Sequence, residues 1–155
     1  MIALIAGISA FAADRISKIW AESHLKENDK VRPLKGGRIA LRRLSNKGSA
    51  GGYFADKKVL VTVSTAAATA AVIAEWIRAT ASGSSLLVRS GLALISGGGL
   101  GNLYDRLRRG AVTDFISFKK RDGRIGRLVY NVADFAVFGG AALMLLGELV
   151  KGKNS

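Results

Sequence analysis

The chain has 155 residues, of which 49% are hydrophobic, with 19 Gly, one Pro and a mean hydropathy of +0.24. That is room for one domain, and it is too apolar and too poor in proline for a disordered tail. The absence of cysteine and the single histidine, His24, exclude a disulfide framework, a thiolate metal site, a cysteine nucleophile and a His-rich metal cage, and they disfavour a Ser-His-Asp triad. With 24 Lys+Arg against 11 Asp+Glu the net charge is +13, which points to phosphate, either of nucleic acid or of lipid headgroups.

The placement of the charges decides between the two. Residues 1–13, 59–74 and 135–147 carry no charge, and residues 79–104 carry only Arg89. Residues 21–58 hold ten Lys/Arg and four Asp/Glu, net +6; residues 105–130 hold eight and three, net +5. A soluble basic domain spreads its charges along helix faces at a 3.6-residue period. Blocks of this kind are the pattern of membrane spans joined by interfacial loops, and they argue against a nucleic-acid binder, whose grip would weaken steeply with salt.

Four spans are predicted in chain order. The first is Ile2–Trp20, with Asp14, Arg15 and Lys18 near its end. Ala10-Phe11-Ala12 has the small-x-small form of a signal-peptide cleavage site, but no basic residue precedes it and the apolar run is short, so it is taken as part of the span. The loop 21–58 contains Gly36-Gly37 and then the partly alternating Arg38-Ile39-Ala40-Leu41-Arg42, which predicts a small hairpin or flap. The second span is Val59–Ile77, ending in Glu75 and Trp76. The third is Ser85–Leu103, where Gly97 and Gly101 form a GxxxG packing surface rather than a phosphate cradle. A loop 104–130 leads to the fourth, Asn131–Val150, which opens with Asp134 and closes with Glu148. Each has about the 20 residues that cross a hydrocarbon core of ~30 Å. The expected organisation is one membrane domain, residues 1–155, with spans of about 2–20, 59–77, 85–103 and 131–150.

Antiparallel packing puts both long loops at one pole. It also gathers there Asp14, Lys18, Asn46, Asn102, Asp105, Arg106, Asp114, Asn131 and Asp134. Ionisable groups at a bilayer edge are costly and tend to be functional, although any one of them can equally be a snorkelling charge. Asp114 lies in the apolar setting Ala111-Val112-Thr113-Asp114-Phe115-Ile116, and Asp134 falls on the first turn of the fourth span. Two carboxyls close together in low dielectric cannot both ionise cheaply, so one keeps a proton. The ionised member can activate water while the other protonates a leaving group. Asp105 beside Arg106 has the form of a structural ion pair, and Asp14 and Lys18, four residues apart, share a helix face and can pair. Asn46, Asn102 and Asn131 can hold backbone, a substrate carbonyl or a carboxylate through their amides.

The motifs resemble one family. Asp14-Arg15-Ile16-Ser17-Lys18 resembles the D-x-x-[ST]-K signature of the bacterial lipoprotein signal peptidases (signal peptidase II), and Asn46-Lys47-Gly48-Ser49-Ala50 resembles their N-x-G-x-A segment. Gly101-Asn102-Leu103-Tyr104-Asp105-Arg106, followed by Gly110-Ala111-Val112-Thr113-Asp114-Phe115, is similar to their G-N-x-x-D-R-x-x-x-G-x-V-x-D-F block, and Asn131-Val132-Ala133-Asp134 to their N-x-A-D block. The segments come in the family's order and cover nearly the whole chain.

The resemblance implies an all-α membrane protein, a four-transmembrane-helix bundle with a small extracytoplasmic β cradle and flap from the 21–58 loop. It implies an aspartic endopeptidase that needs no cofactor and no metal, with Asp114 and Asp134 catalytic. Asn46, Gly48, Asn102, Asp105, Arg106, Asn131 and Ala133 would shape the site or contact substrate, supported by Asp14 and Lys18. The substrate would be a diacylglyceryl-modified prolipoprotein, cut just before its lipidated cysteine at the outer face of the bacterial cytoplasmic membrane. The implied inhibitor is the cyclic peptide globomycin, and nucleic acid is not an implied partner.

Two features depart from the family. Gly51-Gly52 stand where it usually carries an aromatic, with Tyr53-Phe54 following, which predicts a reshaped flap. The positive-inside rule would send the two basic loops to the cytoplasm, whereas the resemblance puts them outside, facing anionic headgroups. The alternatives are a non-catalytic membrane scaffold and a degenerate homologue that kept the fold without the activity.

Overall fold

The computed structural model describes residues 1–27, 32–34, 38–48, 54, 56–119 and 125–152. It contains four long helices, α1 (Ile2–His24), α2 (Lys58–Ala81), α3 (Leu86–Arg109) and α4 (Val132–Gly152). Four strands, β1 (Arg32–Pro33), β2 (Ile39–Asn46), β3 (Val112–Lys119) and β4 (Ile125–Tyr130), form one antiparallel sheet in the order β1-β2-β3-β4. By length and composition, α2, α3 and α4 can cross a membrane. The remaining long helix, α1, carries Asp14, Arg15 and Lys18 within its span, which lowers its apparent hydropathy. Yet Asp14 and Lys18 are fully buried.

The sheet corrects one sequence-based expectation. The hairpin expected around Gly36–Arg42 is represented by β1 and β2, paired Arg32 to Leu41 and Pro33 to Ala40; Gly36-Gly37 lie outside the described residues, as do Gly51-Gly52 and Tyr53. But the 21–58 loop supplies only half of the sheet. The other half, β3 and β4, comes from residues 104–130, where the sequence predicts only a loop. Val112-Thr113-Asp114-Phe115-Ile116 is a run of β-branched and aromatic residues around one acid, a composition that favours strand.

Helix α3 is the centre of the bundle, packed against α1, α2 and α4. Its glycines explain how. A Cβ at Gly91 would lie 2.5 Å from the Gly140 carbonyl oxygen, and one at Gly98 would lie 2.5 Å from that of Ala133, so α4 packs backbone to backbone on α3. Gly97 faces Gly7 and Ala10 of α1, and Gly101 faces the Asp14 carboxylate. Small residues at these positions supply the close dispersion contacts that hold helices together in lipid. Ser85 caps the start of α3 by accepting from the Val88 amide. At its end Gly110 takes the left-handed conformation, φ 68°, and turns the chain into β3.

The two poles have separate cores. Ala21, Leu25 and Phe115, with Leu41, Ile116 and Val132 against them, join the sheet to α1 and α4. Ala79, Val88 and Leu92, with Val72, Trp76 and Met144, close the opposite pole.

Adjacent glycines on α4 provide a controlled test of this packing. A Cβ at Gly140 would lie 2.6 Å from the Gly91 carbonyl oxygen and 3.0 Å from the Ile95 amide, whereas one at Gly139 would meet nothing within 4 Å. Gly140→Ala is expected to destabilise the detergent-solubilised protein by about 1–3 kcal/mol through forced separation of the two backbones. Gly139→Ala is expected to be neutral or to stabilise by up to about 1 kcal/mol through helix propensity. Parallel thermal melts check both.

Candidate active site

The site is built where α4 begins. Asn131 precedes the first helical residue, and its Oδ1 accepts from the Asp134 amide at 3.0 Å. The Asp134 Oδ2 accepts in return from the Asn131 amide, also at 3.0 Å. This is a reciprocal capping box with Asp in the place usually held by Glu or Gln. It satisfies two orphan amides and fixes the Asp134 carboxylate in position. A third early amide, that of Ala133, donates to Asp14 Oδ1 at 3.0 Å, so Ala133 contributes through its backbone.

Asp114 arrives from β3. The register pairs Leu44 with Asp114 and Asn46 with Val112, which leaves Asn46 diagonal to Asp114 on the same face of the sheet. Asn46 Nδ2 donates to Asp114 Oδ2 at 2.9 Å, and Asn131 Nδ2 donates to Asp114 Oδ1 at 2.6 Å. Asn131 thus touches both acids: it caps with its oxygen and backbone amide, and holds Asp114 with its nitrogen. Asp114 and Asp134 both line one cavity of about 110 Å³, together with Asn46, Asn102, Arg106 and Asn131. That space holds water readily.

The three asparagines share one logic. The oxygen of each is fixed by a donor: the Gly48 amide at 3.1 Å for Asn46, the Asp134 amide for Asn131, and the Lys18 ammonium at 2.9 Å for Asn102. Each NH2 is thereby turned toward an acid, and that of Asn102 donates to Asp134 Oδ1 at 3.1 Å. The amide roles that the sequence left open are set by these neighbours.

Behind Asn102 lies a buried charge cluster. Lys18 Nζ forms ion pairs with Asp14 Oδ2 at 2.8 Å and Asp105 Oδ2 at 2.9 Å and donates to the Asn102 oxygen. The Asp14–Lys18 pair is therefore present as expected. The Asp105–Arg106 pair is not. Asp105 pairs instead with Arg15 at 2.5 Å, with Arg109 at 3.1 Å and with Lys18. Consecutive helical residues point about 100° apart, whereas Arg109, four residues on, shares the face of Asp105. Arg106 turns toward the cavity, where its guanidinium donates to the Gly48 carbonyl at 3.0 Å. Asp105 does not line that cavity; it backs Lys18.

Sequence reasoning passed over Arg15, Arg109, Glu22 and Thr113. Arg109 bonds the Glu22 carboxylate, which also accepts from Thr113 Oγ1 at 2.8 Å, tying α1, α3 and β3 beside the site. The Asp105–Arg109 spacing of four was the available signal.

Burial in the cavity wall pushes the Asp114 carboxyl up to about 6. The hydrogen bonds from Asn46 and Asn131 and the charge of Lys18 oppose the rise, and the nearby negative charge of Asp134 adds to it. An acid that holds its proton toward neutral pH, sharing with a second acid the wall of a cavity large enough for water, can run general acid–base chemistry. Among the described residues no group of three or more His, Cys, Asp or Glu side chains is placed to hold a metal ion. A second cavity, about 370 Å³ and lined by α2, α3 and α4, shares Asn102, Arg106, Asp134 and Phe138 with the first. Its other walls include Thr65, Thr69, Val72, Ile95 and Val137, so a mostly apolar cavity meets Asp134.

Comparison with known proteins gives a consistent result. The family model Peptidase_A8, described as signal peptidase (SPase) II, matches residues 6–150. The chain is 33% identical over 155 residues to the lipoprotein signal peptidase of Shewanella halifaxensis (strain HAW-EB4), covering 95% of this chain and 85% of that one. It is also 33% identical over 138 residues to the lipoprotein signal peptidase of Clostridium acetobutylicum, covering 89% and 87% respectively. A bacterial membrane enzyme solved by the in meso method at 2.3 Å resolution superposes with a TM-score of 0.82 at 21% identity, over 99% of this chain and 91% of that one, a likeness of fold.

Proposed function

This chain belongs to the signal peptidase II family of membrane proteases, and from that premise we propose that it cleaves diacylglyceryl-modified prolipoproteins just before the lipidated cysteine, with Asp114 and Asp134 sharing one proton across a water. The observation that carries this reading is the convergence of the two acids, from β3 and α4, on one cavity through Asn131. In this reading α1 is a fourth span, its Asp14 and Lys18 neutralised inside the bundle. The single domain lies in the bacterial cytoplasmic membrane with the sheet and the acids on the extracytoplasmic side, where the basic loops meet anionic headgroups.

In the reaction, the ionised carboxylate takes a proton from water as the water oxygen bonds to the scissile carbonyl carbon. The protonated partner gives its proton to the departing amide nitrogen as the C–N bond breaks. Asp114 is the member whose surroundings favour holding the proton. Arg106 stands beside both acids, where its charge can stabilise negative charge developing on the carbonyl oxygen. The apolar cavity between α2, α3 and α4 receives the segment that enters from the bilayer, so the acyl chains stay in lipid while the scissile bond reaches the water.

The test is purified enzyme incubated with one precursor in lipidated and unlipidated form, with and without globomycin, across pH. Cleavage of the lipidated form alone, blocked by globomycin, is expected. The Asp114 carboxyl titrates upward of the usual range, so its protonated form is lost as pH rises through about 6, and kcat/KM of the free enzyme should fall there. It should fall again at acid pH, once both carboxyls carry protons. Equal cleavage of the two precursors, or a profile flat through that range, contradicts the reading.

A further inference from the structure

The hydroxyls of α2 share one habit, with one exception. A helical Ser or Thr kept from water disposes of its hydrogen by donating back to a carbonyl on the preceding turn. Thr62 does so to Lys58 at 2.9 Å, Ser64 to Val61 at 3.1 Å, Thr65 to Val61 at 2.7 Å and Thr80 to Trp76 at 2.7 Å. Thr69 does not. It is only 6% exposed, yet its hydroxyl makes no hydrogen bond with any described residue.

Thr69 lines the cavity between α2, α3 and α4 that Asp134 also lines. Its Oγ1 lies over Gly99 of α3, where a Cβ would come within 2.7 Å of it, so the missing side chain at 99 is what leaves the hydroxyl room. Val72, Ile95 and Val137 in the same wall offer no acceptor, and the Thr65 hydroxyl is already spent. Asn102, whose amide holds Asp134, stands three residues after Gly99, about 4.5 Å further along α3 toward the acids. A buried donor without a partner costs free energy until something entering the cavity brings it an acceptor.

An extended peptide brings one acceptor per residue, and in a hydrocarbon-like wall each carbonyl needs a donor. A chain rising about 3.3 Å per residue passes from the level of Asn102 to that of Gly99 in one to two residues. Resting on the cleavage reading, we propose that Thr69 anchors the substrate: its hydroxyl donates to the main-chain carbonyl one or two residues before the scissile one, in the segment that enters from the bilayer. An acyl chain has no acceptor along its hydrocarbon and is not the partner.

The test is steady-state cleavage of a synthetic lipidated precursor peptide by the parent protein and by Thr69→Val, which keeps the shape of the side chain and removes the donor. A bond to a carbonyl outside the reaction is made equally in the bound substrate and the transition state. Its loss should therefore raise KM about fivefold, the scale of one neutral hydrogen bond, and leave kcat unchanged. Thr69→Ser keeps the donor and should lie closer to the parent than Thr69→Val does. Two further peptides carry an ester in place of the amide at one or the other of the two carbonyls, which weakens that acceptor. One of the esters should raise KM about threefold more in the parent than in Thr69→Val. An unchanged KM in Thr69→Val, a fall in kcat alone, a KM as high in Thr69→Ser as in Thr69→Val, or equal effects of both esters on the two proteins overturns the proposal. A parent that leaves the lipidated peptide uncut overturns the cleavage reading itself, whereas a parent that cuts it no better than Thr69→Val overturns the anchor alone.

Discussion

Asp114→Asn and Asp134→Asn are each expected to lower cleavage of a lipidated precursor by at least about 10³-fold while leaving a folded, membrane-embedded protein. Asparagine keeps the shape of each carboxylate and removes its capacity to take or give a proton, and a positioned acid or base is worth about 10²–10⁴-fold. The loss should lie in kcat rather than KM, because neither substitution changes the volume of the cavity. The fold should survive for a specific reason. Asp114 is buried, and its carboxyl, at about 6 against 3.8 for the free side chain, costs stability once it ionises. The cost grows as pH rises from about 4 to about 6 and stays in force above that, on the order of 3 kcal/mol. Asp114→Asn removes this cost, and its oxygen can still accept from Asn46 or Asn131. Its amide nitrogen then meets the second NH2 and forfeits one hydrogen bond, so the two effects offset at neutral pH. A scaffold that used these acids only for packing would keep its function in both variants, and a degenerate homologue would show no cleavage in the parent. Precursor processing measured beside thermal melts at pH 4 and 7 separates the three.

Lys18→Met should have the largest effect on stability. The ammonium is fully buried and neutralises Asp14 and Asp105 at once. Removing one partner from such a cluster strands buried charge at a cost of about 3–5 kcal/mol, a large part of the 5–15 kcal/mol that holds a typical domain together. Asp105 keeps Arg15 and Arg109, so the greater part of the damage falls on Asp14. The double variant Asp14→Asn/Lys18→Met should therefore recover part of the loss, and a mutant cycle of melting free energies in detergent measures how much. Activity should fall as well, even at temperatures where the variant is folded. Lys18 is what turns the Asn102 oxygen away from Asp134, and without it the amide can rotate and present an acceptor to an acceptor. Additive melting energies in the cycle, or unimpaired cleavage by folded Lys18→Met, would contradict this account.

The helices were legible because bilayer burial writes itself into sequence as long uncharged runs. Their ends were less so: α2, α3 and α4 extend to Ala81, Arg109 and Gly152, beyond the apolar stretches, because charged residues in a final turn can reach water while the backbone stays helical. The Asp14–Lys18 contact followed from spacing within one helix, and the close approach at Gly97 and Gly101 from residue size. What the sequence hid were the contacts between elements. Nothing local says that Asp105 prefers Arg15, 90 residues away, over its neighbour Arg106, or that Arg106 looks the other way. The strand status of residues 112–119 was present in their β-branched and aromatic composition, but the acid in the middle and the basic flanks masked it. The orientation of the Asn102 amide is decided by Lys18, from another helix, and no reading of a single motif could assign it, whereas those of Asn46 and Asn131 are set within their own motifs by the Gly48 and Asp134 amides.

The reciprocal bonding at residues 131 and 134 also bears on drug escape. A compound that grips Asn131 and Asp134 holds atoms that start a helix as well as, in the proposed reaction, atoms that handle a proton. A cell that altered them to shed the compound would loosen the end of α4 and, in the proposed reaction, lose turnover in the same step. The genetic routes left open run through the sheet edge and the apolar channel, where side chains can change without unseating the acids, and a compound confined to the polar corner would leave those routes little to act on.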